Sequence, residues 1–375
     1  MGLLNEIRDI IVDMPNQRKK PLNKTIMILV VSLMLFGVIM IWSANMYNSS
    51  VGGDNFELKQ LNFVGISVAL IYFISLCNYK HIKYTAYLYS ALMFMALIII
   101  LFLPEQQGVN GAVRWILIGS FSFQPSEFFK VAVLLIMARV MYQFQSKLQD
   151  LKFFCVLFAC TGVMFLLVQQ QPALSAAIIL FVLAIGMYFM GGGRVGFVVL
   201  AGIVGALAVG FYIMINPWRL ERIFSYIDPF KDLSDGGWQP AQSLMALGSG
   251  GFSGRGIGNG RAKFGFLPEL ENDYIFAVIA EELGFIGCVV LICVFLFLIF
   301  QIIKVAIACT DMYSRMICAG AAVLISVQVF LNMAVVSNLI PSTGVVLPFI
   351  SYGGSSLITF SIVIGLVLNV SRNIK

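Results

Sequence analysis

The chain has 375 residues, of which 60% are hydrophobic and only 11% are charged. A soluble domain is closer to half apolar and a quarter charged, so this composition excludes an ordinary soluble protein. With a single histidine, His81, the chain can build neither a zinc site of the usual kind nor a Ser-His-Asp triad. The cysteines fall in or beside apolar runs without C-x-x-C spacing and are interpreted as small apolar residues.

Apolar stretches of roughly 20 residues recur along the chain, each long enough to cross about 30 Å of hydrocarbon as a helix. The sequence therefore predicts an all-α polytopic membrane protein, a single integral membrane domain over residues 1–375 without a cleavable signal pattern. About ten spans are predicted, at residues 25–45, 60–79, 84–103, 127–143, 152–169, 173–190, 195–215, 273–302, 313–337 and 353–371.

The distribution of Lys and Arg predicts the orientation. Most basic residues in the short connections fall on the side of the two termini, which the positive-inside rule makes cytoplasmic. Residues 1–24 then form a cytoplasmic tail, and 216–272 forms a large outer loop. The net charge of +6 follows from this topology and from anionic lipid at the inner surface, so nucleic acid is not a predicted partner.

Charged residues inside the spans are functional candidates, because charge entering a membrane is costly unless it is paired or hydrated. In FQPSEFFK (123–130), Glu127 and Lys130 are three residues apart and share one side of a helix. A purely structural ion pair is an equal alternative. Glu281 and Glu282, further along, must face the bundle interior or water.

Two glycine-rich stretches have different interpretations. GGGRVG (191–196) matches G-x-G-x-x-G but follows a membrane helix rather than a strand, so no nucleotide cofactor is predicted. GSGGFSGRGIGNG (248–260) lies on the outer side, where glycine allows backbone amides to approach a ligand; a flexible surface loop is the alternative. The basic residues that accompany it suit a phosphate-bearing lipid head group: Arg219, Arg222, Arg255, Arg261 and Lys263.

Two further stretches flank the last spans. LPELENDYIF (267–276) carries carboxylates at the mouth of an apolar run, where Asn272–Asp273 is either a helix N-cap or part of a catalytic site. PSTGVVLPFISYGGSS (341–356) cannot form a continuous helix because of its prolines. Irregular backbone at membrane depth must be covered by protein or line a water-filled cavity, so this stretch is predicted to line a cavity and to supply hydroxyls there.

Four stretches together resemble the SEDS family, the bacterial shape, elongation, division and sporulation proteins of the FtsW/RodA/SpoVE type. They occur in the family's order: GVNGAVRWILIGSFSFQPSEFFK (108–130), PWRLERIFSYIDPFKD (217–232), QSLMALGSGGFSGRGIGNGRAKFGFLPELENDYIFAVIAEELGFIG (242–287) and NLIPSTGVVLPFISYGGSSL (338–357). GVNGA and GIGNG resemble the division branch more than the elongation branch.

The resemblance implies a GT-C-like fold and a glycosyltransferase that polymerises lipid II outside the bacterial cytoplasmic membrane, beside a class B penicillin-binding protein transpeptidase. It places the family's essential outer-loop aspartate on Asp273, its arginine and tryptophan on Arg114 and Trp115, and its Glu–Lys pair on Glu127 and Lys130. The other predicted substrate-binding residues are Gln124, Ser126, Arg219, Arg222, Lys263, Ser351, Tyr352 and Ser355.

Two departures from the family pattern are present. The common QPDLGTA is QPALSAA here, so Ala173 stands where the family commonly has an acidic residue. If that acid assists substrate or cation binding in other members of the family, this chain must do without it. The common LPEPHTDF is LPELENDY, in which Glu271 and Asn272 replace His and Thr while Asp273 is retained.

Without a usable histidine, a carboxylate is the natural base for attack by a sugar hydroxyl, and Asp273 has that position. Glu269 and Glu271 either shape the loop or hold a divalent cation, Mg²⁺ or Mn²⁺, with the diphosphate. Two alternatives remain open. A lipid II flippase would need polar residues along a route through the bundle. A non-catalytic scaffold would only recruit the transpeptidase.

Overall fold

The computed structural model describes residues 21–50, 55–77, 79–102, 114–118, 121–171, 173–231, 237–264, 267 and 270–374. This part of the chain forms twelve α-helices, a short 3₁₀ turn (Gln145–Lys147) and one β-hairpin. The helices are Lys24–Ser50 (α1), Phe56–Leu76 (α2), Tyr79–Ile100 (α3), Pro125–Gln143 (α4), Leu151–Gln169 (α5), Leu174–Met190 (α6), Val195–Met214 (α7), Pro217–Ile227 (α8), Trp238–Gly250 (α9), Ile275–Ala308 (α10), Met312–Val336 (α11) and Gly354–Asn373 (α12). Ile116–Ile118 (β1) pairs antiparallel with Phe121–Phe123 (β2).

Each of the ten predicted spans coincides with one helix, namely α1 to α7 and α10 to α12. Seven of these are long and apolar enough to cross a membrane, and α3 and α6 contain shorter apolar stretches. The remaining helix, α4, carries Glu127, Lys130 and Arg139, all of which are buried. The predicted all-α polytopic membrane fold is confirmed. Within the predicted outer loop 216–272, the structure adds α8 and α9, which the sequence pattern did not predict.

The centre of the molecule is formed by α4, α11 and α12, which are buried along most of their length. The hairpin precedes α4, and α2 packs along α12. Peripheral helices keep large apolar side chains exposed; in α7 only Ala201 is buried. Exposed apolar surface on spanning helices is the surface that lipid covers.

Residues 337–353, the connecting segment between α11 and α12, are non-helical; residues 347–351 are buried and most of the others are half-buried. Three neighbouring helices contact its backbone. Gly37 of α1 lies so close that an added Cβ would be 2.6 Å from Ile350 O. Gln60 of α2 donates to Ser351 O at 3.3 Å, and Ser175 of α6 donates to Thr343 O. Irregular backbone is therefore covered by protein at this depth, as membrane structures require.

Helix α10 is broken at Gly284, whose φ is +66°. The stretch 250–262, the glycine loop, satisfies the backbone groups that the break leaves open. Arg255 N donates to Glu281 O at 3.1 Å, and Phe285 N donates to Gly251 O at 3.0 Å. Gly254, at φ +79°, lies so close that a Cβ would be 2.2 Å from Glu282 O. The glycines bring the loop backbone against α10.

The side chains of Glu281 and Glu282 hold the same loop from inside. Both are buried in the bundle interior, one of the two locations that the sequence predicted. Glu282 accepts from Ser43 Oγ at 2.7 Å and from Gly260 N at 3.3 Å. Glu281 accepts from Arg261 N at 2.8 Å. Within the described residues, these carboxylates are engaged by the protein's own backbone and hydroxyl groups.

Gly254→Ala should lower the free energy of unfolding by about 1–3 kcal/mol, because it adds a Cβ at positive φ against a helix carbonyl. Gly248→Ala is the matched control: Gly248 lies in α9 with open space around it, so alanine should be neutral or stabilising by up to about 1 kcal/mol. Thermal unfolding of the two purified variants measures the difference. Equal midpoints would show that the loop does not need glycine at 254.

Candidate functional site

Asp273 lies at the mouth of α10, at the end of this helix opposite the one that meets Asn23 and Ile374. Helix α10 begins at Ile275 with Tyr274 in the N-cap position, so the predicted capping role of Asn272–Asp273 is not what begins this helix. The Asp273 side chain is half-buried. Its Oδ2 would be 3.3 Å from a Cβ added to Gly344, which has φ +64°. The carboxylate therefore lies against the connecting segment.

Asn332 of α11 fixes the backbone at Asp273. Its Nδ2 donates to Asp273 O at 2.8 Å and to Val345 O at 2.6 Å. The side chain is fully buried, so these bonds form away from water. One amide group thus ties the mouth of α10 to the connecting segment, and both carbonyls lose a buried donor if it is removed.

Gln328, one turn earlier on α11, makes the equivalent link to α4. Its Nε2 donates to Val346 O at 3.2 Å, and its Oε1 accepts from Lys130 Nζ at 2.8 Å. Lys130 also donates to Glu127 Oε1 at 2.6 Å, which confirms that the two predicted partners face each other. Both charges are buried. The same face of α11 therefore contacts the Glu–Lys pair and the mouth of α10.

Several buried polar atoms in these elements have no hydrogen-bond partner within the described residues. They belong to the start of α4, to α11, to the connecting segment and to the residue before α10: Ser126 Oγ, Glu127 Oε2, Asn332 Oδ1, Thr343 Oγ1 and Tyr274 OH. Unpartnered buried oxygens are uncommon in native structures. Here they leave unused hydrogen-bonding capacity in the elements around Asp273.

The predicted hydroxyl and amide residues of this region serve mainly to hold the backbone. Ser355 Oγ donates to Ser122 O at 2.8 Å and accepts from Gln124 N at 3.2 Å, which fixes the hairpin on α12. Ser351 Oγ accepts from Leu347 N at 2.7 Å. Tyr352 N donates to Glu271 O at 2.8 Å, so the connecting segment also meets the loop before Asp273.

Arg114 and Trp115 precede the hairpin, and both are half-buried. Arg114 Nε donates to Gln171 O at 3.1 Å, at the turn between α5 and α6. Ala173, where the family pattern has an acid, is the N-cap of α6 and makes no side-chain capping bond. Ser175, two residues later, reaches the connecting segment through Thr343 O. The turn that contains Ala173, where the sequence departs from the family pattern, is thus next to the candidate site.

The predicted cationic residues fall in different surroundings. Arg222 is exposed on α8. Burial raises the pKa of Tyr274, the neighbouring charge of Asp273 raises it further, and Arg222 lowers it, so the guanidinium acts on the mouth of α10. Lys263 is buried instead, bonded to Gly258 O with Glu282 Oε1 at 3.8 Å. The side chain of Arg219 lies outside the described residues.

Among the described residues, no three His, Cys, Asp or Glu side chains form a cluster that could hold a metal ion. Glu269 lies outside the described residues, and Glu271 is half-buried before Asp273. The participation of Glu269 and Glu271 in binding a divalent cation stays a prediction.

Comparisons with known proteins identify the architecture. A sequence model of the FtsW/RodA/SpoVE family, described as "Cell cycle protein", matches residues 23–375. The chain belongs to this family. Stage V sporulation protein E of Bacillus subtilis is 34% identical over 299 residues, covering 79% of this chain and 82% of the relative. A protein of Geobacter sp. (strain M18) named probable peptidoglycan glycosyltransferase FtsW is 36% identical over 305 residues, with 79% and 82% coverage.

Solved structures agree on the fold. A chain from the structure titled "Structural coordination of polymerization and crosslinking by a peptidoglycan synthase complex" matches with a TM-score of 0.79 and 24% identity, covering 94% of this chain and 98% of that chain. The rod shape determining protein RodA of Thermus thermophilus matches with a TM-score of 0.70 and 24% identity, over 94% and 97% of the two chains. The present protein therefore has the fold of RodA.

In this FtsW/RodA/SpoVE family member, sequence reasoning missed three residues of the site: Ser175, Gln328 and Asn332. The two amides lie four residues apart inside a strongly apolar span. Polar side chains at that spacing share one helix face and mark contacts inside a bundle. This signal was available in the sequence, although the partners of the amides were not.

Asn332→Leu should lower the free energy of unfolding by about 1–3 kcal/mol for each buried carbonyl that loses its donor. Backbone hydrogen exchange should accelerate around both Asp273 and Val345, because one amide holds both. Ser337→Ala is the control, since the Ser337 hydroxyl donates only within its own helix turn, to Met333 O at 2.7 Å and Ala334 O at 3.3 Å. Unchanged exchange at both places in Asn332→Leu would contradict this account.

Proposed function

We propose that this protein is a peptidoglycan glycosyltransferase that polymerises lipid II at the outer face of a bacterial cytoplasmic membrane. The observation that carries the proposal is the placement of Asp273: a half-buried carboxylate against the connecting segment, with its backbone held by Asn332. The relatives named peptidoglycan glycosyltransferase support the reaction class. Positive-inside counting supports the orientation, with both termini cytoplasmic and Asp273 outside.

The proposed chemistry begins with a proton transfer. A hydroxyl of the acceptor sugar attacks the anomeric carbon of a donor that carries a lipid diphosphate. The Asp273 carboxylate accepts the hydroxyl proton as the new C–O bond forms, and the diphosphate leaves with the electron pair of the bond that breaks. A base held by packed helices keeps its position during the reaction, which is the condition for efficient catalysis.

Cations stabilise the charge that develops on the departing diphosphate. In this proposal Arg222 stabilises the diphosphate from α8, since its positive charge lowers the pKa of Tyr274 at the mouth of α10. Arg114 serves from the hairpin side, next to the turn at Ala173. The buried Lys130–Glu127 pair orients Gln328 and the connecting segment, and Glu127 Oε2 keeps an unused hydrogen-bonding position beside them. Mg²⁺ or Mn²⁺ would supply further positive charge at the diphosphate if the outer loop binds one.

The proposed partner is a class B penicillin-binding protein that cross-links the glycan strands. The match to a chain of a peptidoglycan synthase complex supports an assembly of this kind. Several similar relatives carry the name FtsW, which favours a role in division. Elongation and sporulation are the other roles within the family.

The flippase alternative requires charged or polar groups along a route through the bundle. The intramembrane carboxylates Glu281 and Glu282 are bonded to the glycine loop, and Glu127 is paired with Lys130. These contacts favour chemistry at the outer end over translocation. A scrambling assay with labelled lipid II in vesicles separates the two activities.

Asp273→Asn should lower polymerisation of lipid II by about 100-fold or more, because it removes the base while keeping side-chain size. Polymer yield is measured with the purified full-length protein and its class B partner. Asp228→Asn is the matched control: the same change at an exposed position after α8, on the same membrane face. Near-normal polymer from Asp273→Asn would remove Asp273 from the mechanism, and would favour the scaffold if partner binding persisted.

A further inference from the structure

A concave site lies at the end of the bundle far from Asp273. It is a cavity of about 470 Å³ where the residues before α1, the end of α10 and the end of α12 meet. Its polar lining comprises Asn23, Gln301, Lys304 and Ser371, and Leu22 and Val305 contribute apolar walls. The lining contains no Asp or Glu. The volume lies within the range of small-ligand sites.

Lys304 supplies a positive charge to this cavity that no carboxylate of the described residues compensates. By contrast, each of three other cations forms an ion pair with a glutamate: Lys130, Arg255 and Lys263. Lys304 is exposed and contacts the ring of Phe300, with Nζ 5.6 Å from the centroid, and no carboxylate of the described residues pairs with it. A cavity with an unpaired ammonium and no acidic lining selects an anion.

The position of Lys304 determines which anion can reach it. It lies one turn before the end of α10 at Ala308, where a lysine stem follows apolar surface while its ammonium extends to the level of the lipid head groups. Phosphate oxygens are good acceptors for the ammonium, amide and hydroxyl donors of this lining. The apolar walls at Leu22 and Val305 suit the glycerol and first acyl carbons that a free phosphate lacks.

We propose that this cavity binds the phosphate-bearing head group of an anionic phospholipid. The proposed orientation makes the leaflet the inner one, which is rich in anionic lipid. The site lies at the far end of α10 from Asp273, so binding does not depend on the activity proposed for that residue.

The test uses the purified full-length protein in neutral detergent, titrated with phosphatidylglycerol or with phosphatidylcholine, while native mass spectrometry counts bound lipids. Wild-type protein should bind its first phosphatidylglycerol more tightly than phosphatidylcholine. Lys304→Gln should weaken that first binding step by about fivefold, the effect of removing one lysine charge at a membrane surface. In a separate arm, inorganic phosphate replaces the lipid.

Lys147→Gln is the matched control. Lys147 is also exposed at the same membrane face and has its ammonium 5.8 Å from a phenylalanine ring centroid, that of Phe144, but it does not line the cavity. Its substitution should leave the first binding step unchanged. Equal weakening by both substitutions, or no weakening by Lys304→Gln, would overturn the site. Phosphate binding that depends on Lys304 without any preference for phosphatidylglycerol would overturn the lipid assignment.

Discussion

Backbone carbonyls outside the helices of a membrane protein must find donors, and the half of this molecule that contains Asp273 is organised by that requirement. The connecting segment between α11 and α12 is non-helical over residues 337–353. Asn332 and Gln328 supply donors to Val345 O and Val346 O from one face of α11. The same two amides also bond Asp273 O and Lys130 Nζ. One set of contacts thus supplies donors to the backbone carbonyls and also positions the candidate site.

At the break in α10 the roles are reversed, because the irregular backbone donates the hydrogen bonds and side chains accept them. There the open groups include backbone N–H donors of the glycine loop, and buried carboxylates accept from them. A buried carboxylate is costly unless its oxygens are hydrogen-bonded, and Glu281 and Glu282 each have several such bonds. The connecting segment and the break in α10 are therefore two irregular backbone regions, each held by buried polar side chains.

The sequence alone predicted the spans well, because a membrane helix requires a long apolar run and little else. Glu127 and Lys130 were also predicted as facing neighbours, since helix spacing is local information. The roles of Glu281, Glu282 and Lys263 were not accessible in this way. Their partners lie far away in the chain, as in the bond between Ser43 and Glu282.

The amphipathic helix α8 was not predicted, because it is short and lies in a segment predicted as a loop. Asp273 was found through the family resemblance; its residue type and position alone favoured capping over catalysis. The structure places Tyr274 at the cap and leaves the aspartate beside Gly344.

The kink at Gly284 also determines which part of α10 responds to the thickness of the bilayer. An unbroken helix of 34 residues would be about 50 Å long, well beyond a hydrocarbon core of about 30 Å. Residues 275–282 are buried in protein, whereas the part after Gly284 exposes large apolar side chains such as Phe285, Leu296 and Phe300. Only this second part has to match the lipid. A change in bilayer thickness therefore acts on this second part, whereas residues 275–282 are shielded from lipid by the bundle.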